Sequence, residues 1–210
     1  VEGGPFKAGP DIESKATPID NPADHQRKFR PTVPGGVSAI VCGSSACTTT
    51  CWAWSNQLNR PVLVHNWHCS YLSACPQYLT LQPSPYDGGL MSDAISTVTA
   101  GNIDNPTTDS AVDVPLDDSY ATMEVYGLGN YLGYTVPKPG DQLIKSGRTT
   151  GITKGSCTAI DGAANVQYPD KVRLKTDLIV TTDMLAGGDS SSSLKILVNG
   201  QPAPELAGQG

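Results

Sequence analysis

Hydrophobic residues in this chain come in short bursts separated by turn formers, and no stretch sustains a helical spacing. Val37 to Cys42 is apolar and β-branched, Cys47 to Trp54 is rich in Thr and Trp, and Arg60 to His68 contains Val62-Leu63-Val64. Gln77 to Gln82 alternates, with Tyr78, Thr80 and Gln82 on one side, and Ala94 to Ala100 and Asp109 to Leu116 follow. A polar stretch, Asp117-Asp118-Ser119, interrupts the pattern. It resumes at 120–126, 132–136, 142–145, 155–160, 172–182 and 194–198. Runs of this length bounded by Gly, Pro, Asn and Asp predict strands, and their even spacing suits a barrel or sandwich. The pattern predicts an all-β chain of two β-lobes, residues 35–118 and 119–210. Residues 1–34 carry Pro, Gly, Asp and Lys without periodicity, and are expected to form an extended arm over the surface, closed by Pro31 and Pro34.

Composition sharpens this picture. The 210 residues include 22 Gly and 17 Pro, and charged residues make up only 16%, which favours many turns around a sizeable core. The net charge is −6 and no Lys/Arg cluster stands out, which argues against a nucleic-acid partner. No apolar run reaches the ~18 residues of a membrane span, so no membrane partner is expected. The chain starts at Val1 and reads as a processed product or a fragment. Six cysteines, five of them between Cys42 and Cys75, point to disulfides and an extracellular setting. Their pairing is not readable from the residues alone. A metal set of His65, His68, Cys69 and Cys75 is weak, because His65 and His68 fall on opposite faces of a strand; no metal or cofactor is expected.

Candidate chemistry centres on Gly187-Gly188-Asp189-Ser190-Ser191-Ser192-Ser193-Leu194, a tight bend between two predicted strands. Glycine before an Asp-Ser pair lets the backbone turn sharply and brings N–H groups toward a ligand. A nucleophilic serine needs that geometry, with an exposed hydroxyl beside donors that can hold an oxyanion. The competing reading is a serine-rich surface loop, since Gly, Asp and Ser are the common turn residues. The candidate base is His68, at the polar tip of an apolar strand, with His65 and His25 as competitors. The candidate orienting carboxylate is Asp109, leading into a strand of small residues, with Asp93 as runner-up and Asp104 and Asp113 as further rivals.

The order His68, Asp109, Ser190, with gaps of roughly forty and eighty residues, is that of one protease class. The stretch Lys145-Ser146-Gly147-Arg148-Thr149-Thr150-Gly151-Ile152-Thr153-Lys154-Gly155 resembles the signature of a bacterial branch of the chymotrypsin-like (trypsin-like) serine proteases that carries a GRTTG motif. Arg30-Pro31 through Ser38, Leu81 through Gly89, Asp109-Ser110-Ala111-Val112 and Gly188-Asp189-Ser190 are similar to other segments of that branch. The match around Asp109 favours it over Asp93. The resemblance implies two six-stranded antiparallel β-barrels with a cleft between them, His68 and Asp109 from the first and Ser190 from the second. It implies a secreted serine endopeptidase acting on protein or peptide substrates, with the N–H groups of Gly188 and Ser190 as the oxyanion hole. It also implies that Cys69, after the catalytic His, is bridged, and Cys51 on the preceding strand is the expected partner, closing a loop worth about 3 kcal/mol.

The sequence departs from the branch in three places. Ser191 stands where the family has Gly, and Asn66-Trp67 precede His68, with Trp67 expected to narrow the cleft. The chain also ends at Gly210, near the family's pocket-lining strand, so the second barrel is expected to be C-terminally truncated. Asp183 falls near the family's pocket floor, where an acid would favour Lys or Arg substrates. These departures define the alternative: a non-catalytic homologue acting as an extracellular structural or binding protein, self-associating through open strand edges.

Overall fold

The β-branched runs form strands. The computed structural model describes residues 6–7, 15–41, 46–70 and 78–210. In chain order the strands are β1 (Phe6–Lys7), β2 (Ser38–Val41), β3 (Cys47–Thr48), β4 (Cys51–Ser55), β5 (Arg60–His65), β6 (Leu79–Leu81), β7 (Ala94–Asn102) and β8 (Ser110–Pro115). They continue with β9 (Glu124–Val125), β10 (Gly129–Asn130), β11 (Gly133–Tyr134), β12 (Gln142–Gly147), β13 (Gly151–Gln167), β14 (Val172–Thr181), β15 (Ser193–Val198) and β16 (Gln201–Gln209). The only helical turns among the described residues are short 3-10 turns, and no helix there is long and apolar enough to cross a membrane.

The strands β2 to β8 form one seven-stranded antiparallel sheet in the order β3-β2-β6-β7-β8-β5-β4. A second seven-stranded sheet runs β1-β13-β12-β15-β16-β11, with β14 paired to β13. The all-β expectation holds. Each sheet has seven strands where six were expected: the first is six strands plus the two-residue β3, and the second is five longer strands plus the two-residue β1 and β11. Among the described strands β14 pairs with β13 alone, which leaves the second sheet open between β14 and β16. A cavity of about 730 Å³ occupies that gap, lined by Leu178 and Ile179 of β14 and Leu206 and Ala207 of β16.

The first half buries Val33, Val37, Trp52, Leu63 and Ile95 around a common core, and the second packs Leu143, Cys157, Met184, Leu194 and Ala207. A third cluster, Val125, Leu128, Tyr131, Ile144 and Ile152, continues the core through the start of the second half. On β8 the alternation turns Ala111, Asp113 and Pro115 inward, so a carboxylate enters the core and has to find donors there.

Two expectations need correction here. Residues 15–34 are not only a surface arm. The 3-10 turn Pro22–Gln26 drives His25 fully into the interior, its Nδ1 2.8 Å from Gly36 O and its Nε2 2.7 Å from Asp20 Oδ2. Buried Val33 accepts a hydrogen bond from Trp52 Nε1, and Ile19 N donates to Ile152 O of the second half. Apolar Val33 and Phe29 draw the segment inward, and paired acceptors satisfy the imidazole.

The second correction concerns Cys69, which bridges Cys47 and not Cys51. Cys51 lies on β4 opposite Val64 and stays a free thiol, whereas Cys69 lies four residues beyond the end of β5, on a 3-10 turn that folds over β3. Burial pushes the Cys51 thiol up to about 12. Cys42 and Cys75 lie outside the described residues.

Candidate active site

The candidate base and its candidate carboxylate are brought together by adjacent strands. The strand β5 ends at His65 and the chain turns through Trp67–Cys69, where the Cys47–Cys69 bridge pins it to β3. The neighbouring β8, paired to β5 with His65 opposite Ala111, begins one residue after Asp109. His68 Nδ1 lies 2.6 Å from Asp109 Oδ2, and His68 N donates to Oδ1 at 3.0 Å. Tyr168 OH also donates to Oδ2, at 3.1 Å. With Nδ1–H given to the carboxylate, Nε2 is the nitrogen left to accept a proton, and it bonds no described residue. Burial pushes the Asp109 carboxyl up, but hydrogen bonds and charge from His68, with the Tyr168 hydroxyl, hold it below the usual carboxylate range.

The competing residues are committed elsewhere. His65 is buried, with Nε2 2.8 Å from Asp113 Oδ1 and Nδ1 2.9 Å from Asn66 O. Asp113 also accepts from Thr80 and Ser96. Asp93 bonds Lys28, and its Oδ2 accepts from Leu90 N at 3.0 Å. Asp104 is exposed and pairs with Arg173 at 2.9 Å and Lys171 at 3.1 Å. Trp67 turns its ring onto β7, where a Cβ on Gly101 would sit 2.0 Å from it, and Trp67 is not among the residues lining the cavity.

The Ser190 loop is held from below by Asp189, which is fully buried. Asp189 Oδ1 accepts from Thr149 N at 2.8 Å and Thr150 N at 3.1 Å. Its Oδ2 accepts from Thr150 Oγ1 at 2.6 Å, Ala186 N at 3.0 Å and the ammonium of buried Lys145 at 3.1 Å. The Lys145–Gly155 stretch therefore acts as a cradle for the residue before Ser190, a role that its sequence did not disclose. Burial pulls the Lys145 ammonium below its ordinary range, and Asp189 only partly restores it. Arg148 of the same stretch grips Asp87 through two hydrogen bonds, tying this cradle to the loop after β6.

The first half grips the loop from the other side. Thr48 N donates to Ser190 O at 2.9 Å, and Thr48 Oγ1 donates to Gly188 O at 2.9 Å, one residue from the Cys47–Cys69 bridge. The N–H groups of Gly188 and Ser190 have no acceptor among the described residues, and Ser190 Oγ bonds no described group. Gly188 turns at φ +94, as the predicted sharp bend requires.

Ser191 sits at φ 74, a left-handed conformation that a Cβ disfavours. All its polar groups are engaged: N donates to Gly210 O, O accepts from Thr50 Oγ1, and Oγ accepts from Asn66 N at 2.6 Å. The last of these joins the His68 segment to the Ser190 loop.

The cavity in the second half reaches His68 and Asp109. Asn66 and Ser192 also line it, and Asn66 Oδ1 and Ser192 Oγ are buried without a hydrogen-bond partner among the described residues. Asp183 is exposed and not part of the lining, whereas the adjacent Met184 and Leu185 are. Thr48, Lys145, Thr150 and Tyr168 are the contributors that sequence reasoning missed. Lys145 and Thr150 lay inside a motif singled out only for its resemblance.

No protein-family model matches the chain, and no curated protein matches its sequence. Solved structures do match in fold. A Nocardiopsis protease (NAPase) superposes with a TM-score of 0.60 at 19% identity, covering 83% of this chain and 81% of that one. A glutamic acid specific serine protease, described as using a histidine triad in substrate binding, gives 0.59 at 22% identity, covering 83% and 90%. A Cellulomonas bogoriensis chymotrypsin gives 0.56 at 23% identity, covering 81% and 80%. The chain has the chymotrypsin-like double β-barrel fold of these serine proteases.

Proposed function

We propose that this protein is a secreted serine endopeptidase in which Ser190 is the nucleophile, His68 the general base and acid, and Asp109 the group that orients His68. The observation that carries this reading is the His68–Asp109 pair, with Nε2 bonded to no described residue. In the proposed reaction His68 Nε2 takes the Ser190 proton as Oγ attacks a peptide carbonyl, and the N–H groups of Gly188 and Ser190 hold the oxyanion. The imidazolium returns its proton to the leaving amine, and water, deprotonated by His68, then releases the acyl group from Ser190. Asp109 keeps Nδ1 protonated and stabilises the imidazolium. The Cys47–Cys69 bridge supports an oxidising, extracellular setting.

A second reading, a non-catalytic homologue, draws on two observations: Ser190 Oγ makes no bond to His68, and β14 leaves an edge open for pairing with another copy. The first weighs little, because catalytic hydrogen bonds often tighten only once substrate is bound. Incubation with a mixed peptide pool and mass-spectrometric reading of new termini tests the choice. The peptidase reading expects cleavage by wild type and none by Ser190→Ala; a folded monodisperse wild type that leaves every peptide intact contradicts it.

A further inference from the structure

Among the described residues, Tyr168 is the only second-half side chain hydrogen-bonded to the Asp109 carboxylate. It follows β13 in the turn to β14, is 3% exposed, and its ring centroid lies 6.0 Å from that of His68. A carboxylate can only accept, so the phenol donates; burial raises its pKa further above the ordinary phenol value, and the proton stays in place.

The surroundings of Tyr168 bolt this turn to the segment that carries Asp109. Lys175 Nζ donates to Ile103 O at 2.6 Å and to Asn105 O and Thr108 O at 2.8 Å each. Arg173 Nε donates to Asp104 Oδ1 at 2.9 Å, and both cations lie over the Tyr168 ring, at 5.2 Å for Arg173 and 5.7 Å for Lys175. The hydroxyl is therefore delivered across the junction of the two halves onto Oδ2, the same oxygen that His68 Nδ1 uses.

We propose that Tyr168 is a positioning residue for the reaction proposed above: its hydroxyl, carried by the β13–β14 turn, fixes Asp109 Oδ2 in line with His68 Nδ1 and moderates the basicity of that oxygen. This rests on the peptidase reading for its purpose, but not for its measurement. Two donors share Oδ2. Removing the phenol O–H leaves more electron density facing the imidazole, which stabilises imidazolium and raises the pH at which His68 titrates. It also frees the carboxylate to swing, which lowers the fraction of molecules with an aligned base. The other charged groups near the pair are His65 and Lys175, with Arg173 over the Tyr168 ring; all three remain in a Tyr168→Phe variant, which also keeps the ring that Arg173 and Lys175 lie over.

The test compares Ser190→Ala with Ser190→Ala/Tyr168→Phe by NMR titration of His68, which needs no catalysis, and compares kcat and KM of wild type and Tyr168→Phe across pH. The expected result is a His68 midpoint raised by about half a pH unit, with the Nδ1 proton resonance shifted. The acidic limb of the activity profile moves the same way, and kcat falls about tenfold with KM little changed. An unchanged His68 midpoint and Nδ1 resonance in the folded double variant would overturn the proposal. Absence of hydrolysis by wild type would count against the peptidase reading alone, and the titration would still decide the role of Tyr168.

Discussion

His65 with Asp113 and His68 with Asp109 are two couples of the same chemistry, the first on strands β5 and β8 and the second just beyond the end of β5 and just before the start of β8. In the first, both imidazole nitrogens face acceptors, Asp113 takes three donors, and the side chains are 6% and 0% exposed. In the second, the side chains are 18% and 14% exposed, the imidazole borders a cavity and Nε2 bonds no described residue. Residue identity does not separate them; unused hydrogen-bonding capacity does. A couple with every valence met holds strands together, and one with a lone pair facing open space can move a proton. Lys145 with Asp189 belongs with the first kind, yet it lies next to Ser190, so a structural pair there also holds the loop of the proposed nucleophile.

The two couples part most sharply when one member of each is removed. His68→Ala is expected to lower kcat/KM by about 10⁴-fold or more while changing unfolding free energy by under about 1 kcal/mol. Peptide hydrolysis and urea denaturation of the same sample check both halves of that statement. Asp113→Ala is expected to do the reverse first, costing about 3–5 kcal/mol because it strands a buried imidazolium, read as a shift in the urea midpoint. A stable Asp113→Ala with wild-type midpoint would erase the distinction.

The strand pattern was readable because β-branched residues cluster between turn formers. The strand β16 was not, since Pro202 and Pro204 argue against a ladder; it is accommodated by register shifts against β15. The long β13 was read only over 155–160, because Gly151, Gly155 and Gly162 mask its continuity. His68, Asp109 and the Ser190 bend stood out through local pattern and family resemblance. Tyr168 did not, because nothing local marks a turn tyrosine that meets a carboxylate 59 residues away. The Lys145 cradle escaped for a related reason: a lysine on a strand reads as solvent-facing until its buried partner is known. The Cys51 assignment failed because strand adjacency does not reveal which way the turn after β5 folds.

Acid and base sharpen the same comparison with a smaller effect. Burial lowers the His65 pKa, but Asp113 and the Asn66 carbonyl more than offset this, so its folded pKa lies above the ordinary value of 6.5. Its contribution to stability is full below that value and is lost as pH rises through the folded pKa. The Asp109 pKa is held below 3.8, so its contribution is present above that value and is lost as pH falls through the folded pKa. Urea midpoints across pH for wild type, His65→Gln and Asp109→Asn should show the alkaline loss vanish in the first variant and the acid loss shrink in the second. A His65→Gln profile parallel to wild type would contradict the assignment.

The smallest expected effect is at Ser191. Replacing it with Gly relieves a positive φ worth about 1–3 kcal/mol, but loses the hydrogen bond from Asn66 N and adds chain entropy. The net change in unfolding free energy should stay within about 1 kcal/mol by urea denaturation. A larger destabilisation would move Ser191 to the structural side of the comparison.

The role of Ser190 is decided by treating the folded protein with a fluorophosphonate and mapping the adduct by tandem mass spectrometry. One adduct is expected, on Ser190, absent in Ser190→Ala and strongly slowed in His68→Ala. No adduct on wild type, or an adduct on Ser192 that survives Ser190→Ala, would contradict it.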